Sequence, residues 1–195
     1  MCCITFVDPV LALHFNEEYG AKAEVIGLYF FIIGLGVVIG TLSFLFLVKI
    51  LPRRLLMHGA ALLYACGYFL MGPSAILVLP KMHALASAGL AVTGLGHGLL
   101  LVPLVPEKME AAKRIYPGQD QRISDLVSGI HNAGMSAGEI LGPLIGSWFY
   151  EQIGFARSCD VMAIIFVAFT ITHILVCDIK GNTSGQSLSS KHQGA

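Results

Sequence analysis

A chain of 195 residues that is 55% hydrophobic and only 12% charged, with a mean hydropathy of +0.75, is not a water-soluble domain, since such domains carry about 25% charged residues. Its formal net charge is zero, so charge implies no nucleic-acid or acidic partner. Five cysteines (Cys2, Cys3, Cys66, Cys159 and Cys177) lie in or beside apolar stretches without repeated spacing, which argues against a disulfide framework and a zinc site.

The composition is that of an integral membrane protein. The first residues lack a basic stretch before the apolar run, so they do not make a cleavable signal peptide. Cys2 and Cys3 are candidates for lipidation, although incidental placement is the plainer reading.

Residues 1–15 form a first apolar run, interrupted by Asp8. Fifteen helical residues reach only about 22 Å against a hydrocarbon core of about 30 Å, so the run is expected to be a helix whose start is missing. A polar loop follows from Asn16 to Glu24. Val25 to Val48 is a long apolar span holding the Gly36 and Gly40 pair, a packing spacing in membranes. Lys49 to Arg54 is a tight basic turn containing Lys49, Arg53 and Arg54. A third span runs from Leu55 to Met71, closed by Gly72 and Pro73, and a loop with Pro80 occupies 74–83. Ala84 to Val102 is a fourth span, rich in glycine, with His97 in its middle. Pro103 to Ile123 is a polar connection with seven charges.

Ser124 to Tyr150 is the most informative stretch. Wound at about 100° per residue, it separates into three arcs. Leu126, Ile130, Ala133, Ala137, Ile140, Leu141, Leu144 and Trp148 make an apolar arc suited to lipid. Gly134, Gly138, Gly142 and Gly146 repeat every fourth residue and make a smooth stripe for a close helix neighbour, with Pro143 beside it. Asp125, Ser128, Asn132, Ser136 and Glu139 gather on a polar arc suited to a watery cavity. A sixth span runs from Ser158 to Cys177, and 179–195 is Gly/Ser-rich and expected to be a disordered tail. The chain therefore divides into a six-span unit over 1–178 and that tail.

Nine of the Lys and Arg residues fall on the side of the 49–54 turn, the 103–123 connection and both termini, against Lys22, Lys81 and Arg157 on the other. The excess predicts that this side faces the cytoplasm. No soluble catalytic domain is present in the pattern, and no nucleophile with a paired base, phosphate loop or metal cluster marks an enzyme or calls for a cofactor.

Ionisable groups inside a span are functional candidates because burying them is costly. Glu139 lies mid-helix and suits a proton or cation carrier, with Asn132 and Ser136 placed to orient it or a substrate; a packing hydrogen bond is the plainer alternative. Asp8 precedes Pro9, the pattern of a helix N-cap, yet it lies seven residues into an apolar run, where a cation-binding carboxylate is the sharper reading. His97 suits either a proton relay or a hydrogen bond to a neighbouring helix. His131 falls on the glycine stripe and is expected to pack.

The run through Ser128-Gly129, Gly134, Gly138, Gly142-Pro143, Gly146, Tyr150-Glu151 and Gly154-Phe155 resembles the penultimate helix of major facilitator superfamily antiporters, most closely the vesicular amine and polyamine transporter-like branch. Phe6-Val7-Asp8-Pro9 is similar to the first helix of that family's C-terminal half. Gly94-Leu95-Gly96-His97-Gly98, with Pro103 and Pro106-Glu107, is similar to its fourth. The resemblance covers about residues 4–178. It implies one all-α half of a twelve-helix carrier, six transmembrane helices that build a substrate site together with an N-terminal half or a second copy.

Three departures stand out. Val48-Lys49 stands where the family carries an aspartate before a basic residue, which removes part of its charge lock. Gly98 stands where the monoamine carriers place an acid. Glu139 is not a standard family position.

The expected activity is secondary transport across a bilayer, by proton-coupled antiport of a small organic cation such as an amine or polyamine. Asp8 and Glu139 supply charge, and Asn132, Ser136 and His97 line the cavity. The alternatives are a truncated or regulatory six-helix protein without transport of its own, and a drug-export type of carrier.

Overall fold

The computed structural model describes the backbone of residues 2–72, 74 and 82–192, and the side chains of 5–18, 20–72, 74 and 82–175. Among them the regular structure is all helix: α1 (Cys2–Tyr19), α2 (Ala23–Leu47), α3 (Arg53–Met71), α4 (His83–Ile115), α5 (Asp120–Ile153) and α6 (Phe155–His192). The side chains of Cys2 and Cys3 and most of the 74–83 loop lie outside the described residues.

The helices outrun the apolar segments that announce them. α1 continues through the expected polar loop to Tyr19. α4 continues past Val102 through Pro103 and Pro106 to Ile115, and α5 begins at Asp120, so the 103–123 connection shrinks to 116–119. Residues 107–114 are Glu, Lys, Met, Ala and Arg, strong helix formers, and the helix continues through Pro103 and Pro106 although each removes an N–H donor and crowds the carbonyl one turn back. α6 is helical to His192, through the polar segment expected to be a disordered tail, while its apolar part is Phe155–Leu175. Gly154, at φ 79°, makes the sharp corner between α5 and α6, a conformation open to glycine without a Cβ clash.

Among the described residues four helices are long and apolar enough to cross a membrane: α2, α3, α4 and the Phe155–Leu175 part of α6. Six spans were expected. α1 falls short because Asp8, Glu17 and Glu18 share its 18 residues, and α5 because its polar arc dilutes its apolar one.

α4 is the central strut. Its glycines meet neighbours on two faces. Gly89 and Gly96 abut the α3 backbone at Met71 and Tyr64, and Gly94 and Gly98 abut α2 between Ile33 and Thr41. The Gly36 and Gly40 pair on α2 completes this contact, against Ala91 to Leu95. α6 packs on α3 and α1 packs on α5. α1 also reaches the common core. Phe15 stacks on Tyr29 with ring centroids 4.2 Å apart, and His14 stacks on Phe155 at 4.1 Å. Phe6, Leu11, Tyr64, Tyr68 and Leu90 are almost fully buried there. The outer face of α2 is apolar and exposed, as at Phe31 and Phe46, which suits lipid.

Candidate functional site

α1 and α5 form one wall of the bundle. Thr5 donates a hydrogen bond from Oγ1 to the Gly138 carbonyl at 3.1 Å. A Cβ on Gly146 would collide with the Phe6 carbonyl. Gly138, Gly142 and Gly146 are buried, and of these Gly138 and Gly146 meet α1 at Thr5 and Phe6. Gly134 does not: it is exposed, with open space where a Cβ would stand. At the far end of the wall the Tyr150 hydroxyl donates to Glu17 Oε2 at 2.6 Å, and Phe6 and Phe149 lie 6.0 Å apart.

Contact with α1 along the glycine stripe leaves the other arcs of α5 uncovered. Glu139, Asn132 and Ser136 are all exposed, on the arc beside the buried stripe. Asp8 on α1 is half-buried. Among the described residues no hydrogen bond or ion pair joins these four groups. The apolar arc is also open, with Ile140 67% and Leu144 66% exposed.

His97 is not part of this wall. It is buried, its ring 5.8 Å from that of Tyr64, and it lines a cavity of about 320 Å³ between α3, α4 and α6. The physical reason is the glycine pattern around it. With Gly94 and Gly98 turned to α2 and Gly96 to α3, the side chain at 97 is carried into that cavity. His58 and His173 line the same space and share a hydrogen bond, His58 Nε2 to His173 Nδ1 at 2.8 Å. Neither histidine was singled out from the sequence, although both are ionisable groups within apolar runs, which was the available signal.

Asp160 was missed as well. It is 4% exposed, and its Oδ1 has no hydrogen-bond partner among the described residues. His131 is not simply packed: its Nδ1 lies 3.3 Å from Lys108 Nζ on α4.

The basic turn forms a charge cluster despite lacking the family aspartate. Arg53 is paired with Glu110, and Arg54 Nε lies 3.3 Å from Glu107 Oε1. The glutamates come from the extended end of α4. Lys49 instead sits over the Phe46 ring at 5.9 Å. Across the short 116–119 connection, Lys113 and Asp120 pair at 3.1 Å. Among the described residues no cluster of three or more His, Cys, Asp and Glu side chains is arranged to hold a metal ion.

A family model described as Major Facilitator Superfamily matches residues 1–187. The chain is 34% identical over 167 residues to the human MFS-type transporter SLC18B1, covering 83% of this chain and 36% of that protein. It is 32% identical over 158 residues to the mouse protein of the same name, covering 78% and 34%, and 30% identical over 167 residues to the rat protein, covering 83% and 36%. The chain thus spans about a third of the length of these relatives. No solved structure matches it. The match over nearly the whole chain, the apolar spans and the glycine-packed helices agree: this is an integral membrane protein that belongs to the Major Facilitator Superfamily, in the branch of SLC18B1 and the vesicular amine transporter-like carriers.

Proposed function

We propose that the chain forms one half of a secondary transporter that exchanges protons for an organic cation such as an amine or polyamine. The observation that carries this reading is the open polar arc of α5. Glu139, Asn132 and Ser136 are exposed beside α1, which carries the half-buried Asp8. A carboxyl placed at the depth of a membrane span costs about 2.5–3.5 kcal/mol at the helix centre. Such a group is retained where it faces water, a partner surface or a cation. A second six-helix half, or a second copy, laid against α1 and α5 would close the arc into a cavity that opens to each side in turn. The excess of Lys and Arg near the 49–54 turn supports a cytoplasmic position for that end.

In this reading Asp8 and Glu139 attract the cation and exchange it for protons, while Asn132 and Ser136 orient it. The test is acid-driven uptake of labelled spermidine into proteoliposomes. The chain is reconstituted alone and together with the N-terminal half of the human relative. Uptake is expected with both halves present and to fall at least tenfold in Asp8→Asn and in Glu139→Gln. Uptake unchanged in both variants overturns the assigned roles. Exchange of a neutral drug with no spermidine uptake favours the drug-export type.

A further inference from the structure

The basic end of the bundle holds a cleft that the α1 and α5 wall does not share. It has a volume of about 520 Å³ and lies between the turn after α2, the start of α3 and the extended end of α4. Pro52, Arg53, Arg54, Glu107, Glu110 and Arg114 line it, with Val48 and Leu51 at its edge. Its depth follows from the helix beside it. α2 ends at Leu47, and its outward apolar face runs as far as Phe46, which is 66% exposed. Ile50 in the turn is also exposed, and Lys49 lies over the Phe46 ring. An apolar face that ends in a lysine folded along it marks the boundary between hydrocarbon and headgroups. The cleft begins at Val48, the residue after α2, so it stands at the level of the lipid phosphates.

Charge decides what the cleft can hold. Arg53 pairs with Glu110 and Arg54 with Glu107, so both carboxylates are engaged. Arg114 is exposed and enters no ion pair among the described residues. Three guanidiniums against two carboxylates leave the described lining one positive charge in excess. A guanidinium carries several N–H donors, and the pairs engage only Arg53 Nη1 and Arg54 Nε. The start of α3 adds to the field. Its first turn carries no acid and Pro52 gives it no side-chain cap, so the partial positive charge of the helix end is not offset locally. A singly charged anion balances this lining. A phosphodiester is such an anion, and its two unesterified oxygens fit the fork of a guanidinium. A cation gains nothing, because both carboxylates already have partners. A zwitterionic headgroup brings its own ammonium beside Arg114 and leaves the excess charge in place.

We propose that this cleft binds the headgroup of an anionic phospholipid from the adjoining leaflet. The phosphodiester is held by Arg114 and the remaining donors of Arg53 and Arg54, with the acyl chains in the bilayer alongside α2. The lipid bridges the end of α4 to the turn between α2 and α3. The site does not depend on the transport reading and is tested without a proton gradient or a second half.

The full chain is purified in detergent and titrated with dioleoylphosphatidylglycerol or dioleoylphosphatidylcholine, and bound lipids are counted by native mass spectrometry. Phosphatidylglycerol is expected to bind as a first, saturable equivalent, at least fivefold more tightly than phosphatidylcholine. Sodium phosphate at the same concentration should not displace it. Arg114→Gln should weaken phosphatidylglycerol binding at least fivefold. Arg122→Gln, at the same end of the bundle but outside the cleft, should leave it unchanged. Equal binding of the two lipids overturns the site. An equal loss in Arg114→Gln and Arg122→Gln overturns it too, since that is diffuse attraction to a basic surface. Displacement by sodium phosphate overturns the lipid as the ligand in favour of a free anion. Equal melting temperatures of the two variants check that both fold, and if Arg114→Gln does not, the contrast of the two lipids and phosphate on the unaltered chain decides the question alone.

Discussion

α4 and α5 carry similar numbers of glycines and use them in opposite ways. On α4, Gly89, Gly94, Gly96 and Gly98 each bring a neighbouring backbone within contact, two on the α3 face and two on the α2 face. The helix is clamped from both sides and has no room to turn. On α5, Gly138, Gly142 and Gly146 are buried along a single face, where Gly138 and Gly146 meet α1, while Gly129 and Gly134 look into open space. That helix is held on one side and presents its polar and apolar arcs outward. Small residues close to each other in sequence thus build a rigid frame in one place and a single seam in the other. The seam is the one beside Asp8, Glu139, Asn132 and Ser136.

The largest effect should follow from breaking the frame. A Cβ at position 98 would sit 2.8 Å from the Thr41 nitrogen and 3.1 Å from the Gly40 carbonyl carbon, and nearer still to the Val37 carbonyl oxygen. These are backbone atoms of α2, so the helices must part. Gly98→Val is expected to cost about 3 kcal/mol or more, at or above the usual range for overpacking. The readout is loss of the monodisperse peak in fluorescence-detected size exclusion and a fall in melting temperature. A Gly98→Val protein as stable as the original would mean that α4 is not clamped on its α2 face.

The seam should respond less. Tyr150→Phe removes the 2.6 Å hydrogen bond to Glu17 and leaves the ring. A hydrogen bond to a charged group contributes about 1.5–3 kcal/mol, and exposure at the end of the helix lowers that to about 1 kcal/mol. The frame has its own polar clasp, in which Arg54 meets Glu107 at 3.3 Å. Both residues are partly exposed, and exposed ion pairs are worth about 0–1 kcal/mol. Since glycine contacts already hold α3, α4 and α2 together, Arg54→Ala is expected to lower stability by less than Tyr150→Phe does. Melting curves of both variants in one detergent make the test. The reverse order would mean that the charge cluster, rather than backbone packing, secures the frame.

Element order and the packing role of the Gly36 and Gly40 pair were legible because hydrophobic runs and glycine spacing are local properties of a helix. Three of the four stripe glycines on α5 were legible for the same reason. What stayed hidden depends on which neighbours each face meets. His97 looked equivalent to the polar residues of α5, but its direction is set by the glycines on either side of it, which commit two faces of α4 to α2 and α3. His58 and His173 are 115 residues apart, and each alone is an isolated histidine. Arg53 and Arg54 were read as having lost part of a charge lock because the expected aspartate is missing from the turn. Their actual partners, Glu110 and Glu107, lie more than 50 residues on, in a stretch read as loop because its charges masked its helix propensity. α1 and α5 show the same limit from the other side. Their polar residues keep them below the hydropathy of a span, and only the family match and the packing place them in the bundle.

The smallest effect is the most diagnostic for the seam. Gly134 is exposed, with nothing near the position a Cβ would take. In the six-helix unit, Gly134→Ala should therefore not disturb packing, and it should gain up to about 1 kcal/mol of helix propensity. The melting temperature of the chain alone is expected to stay level or rise slightly, the opposite sign to Gly98→Val. The outcome in an assembled carrier separates two uses of the open face. If Gly134 faces lipid or water there, the variant transports normally. If a second half or a second copy packs against α5 by the same close approach that α1 makes at Gly138 and Gly146, one methyl group at 134 obstructs it. Uptake then falls while the stability of this unit does not. That split would extend the glycine seam to both sides of α5 and place Glu139, Asn132 and Ser136 at an interface between halves.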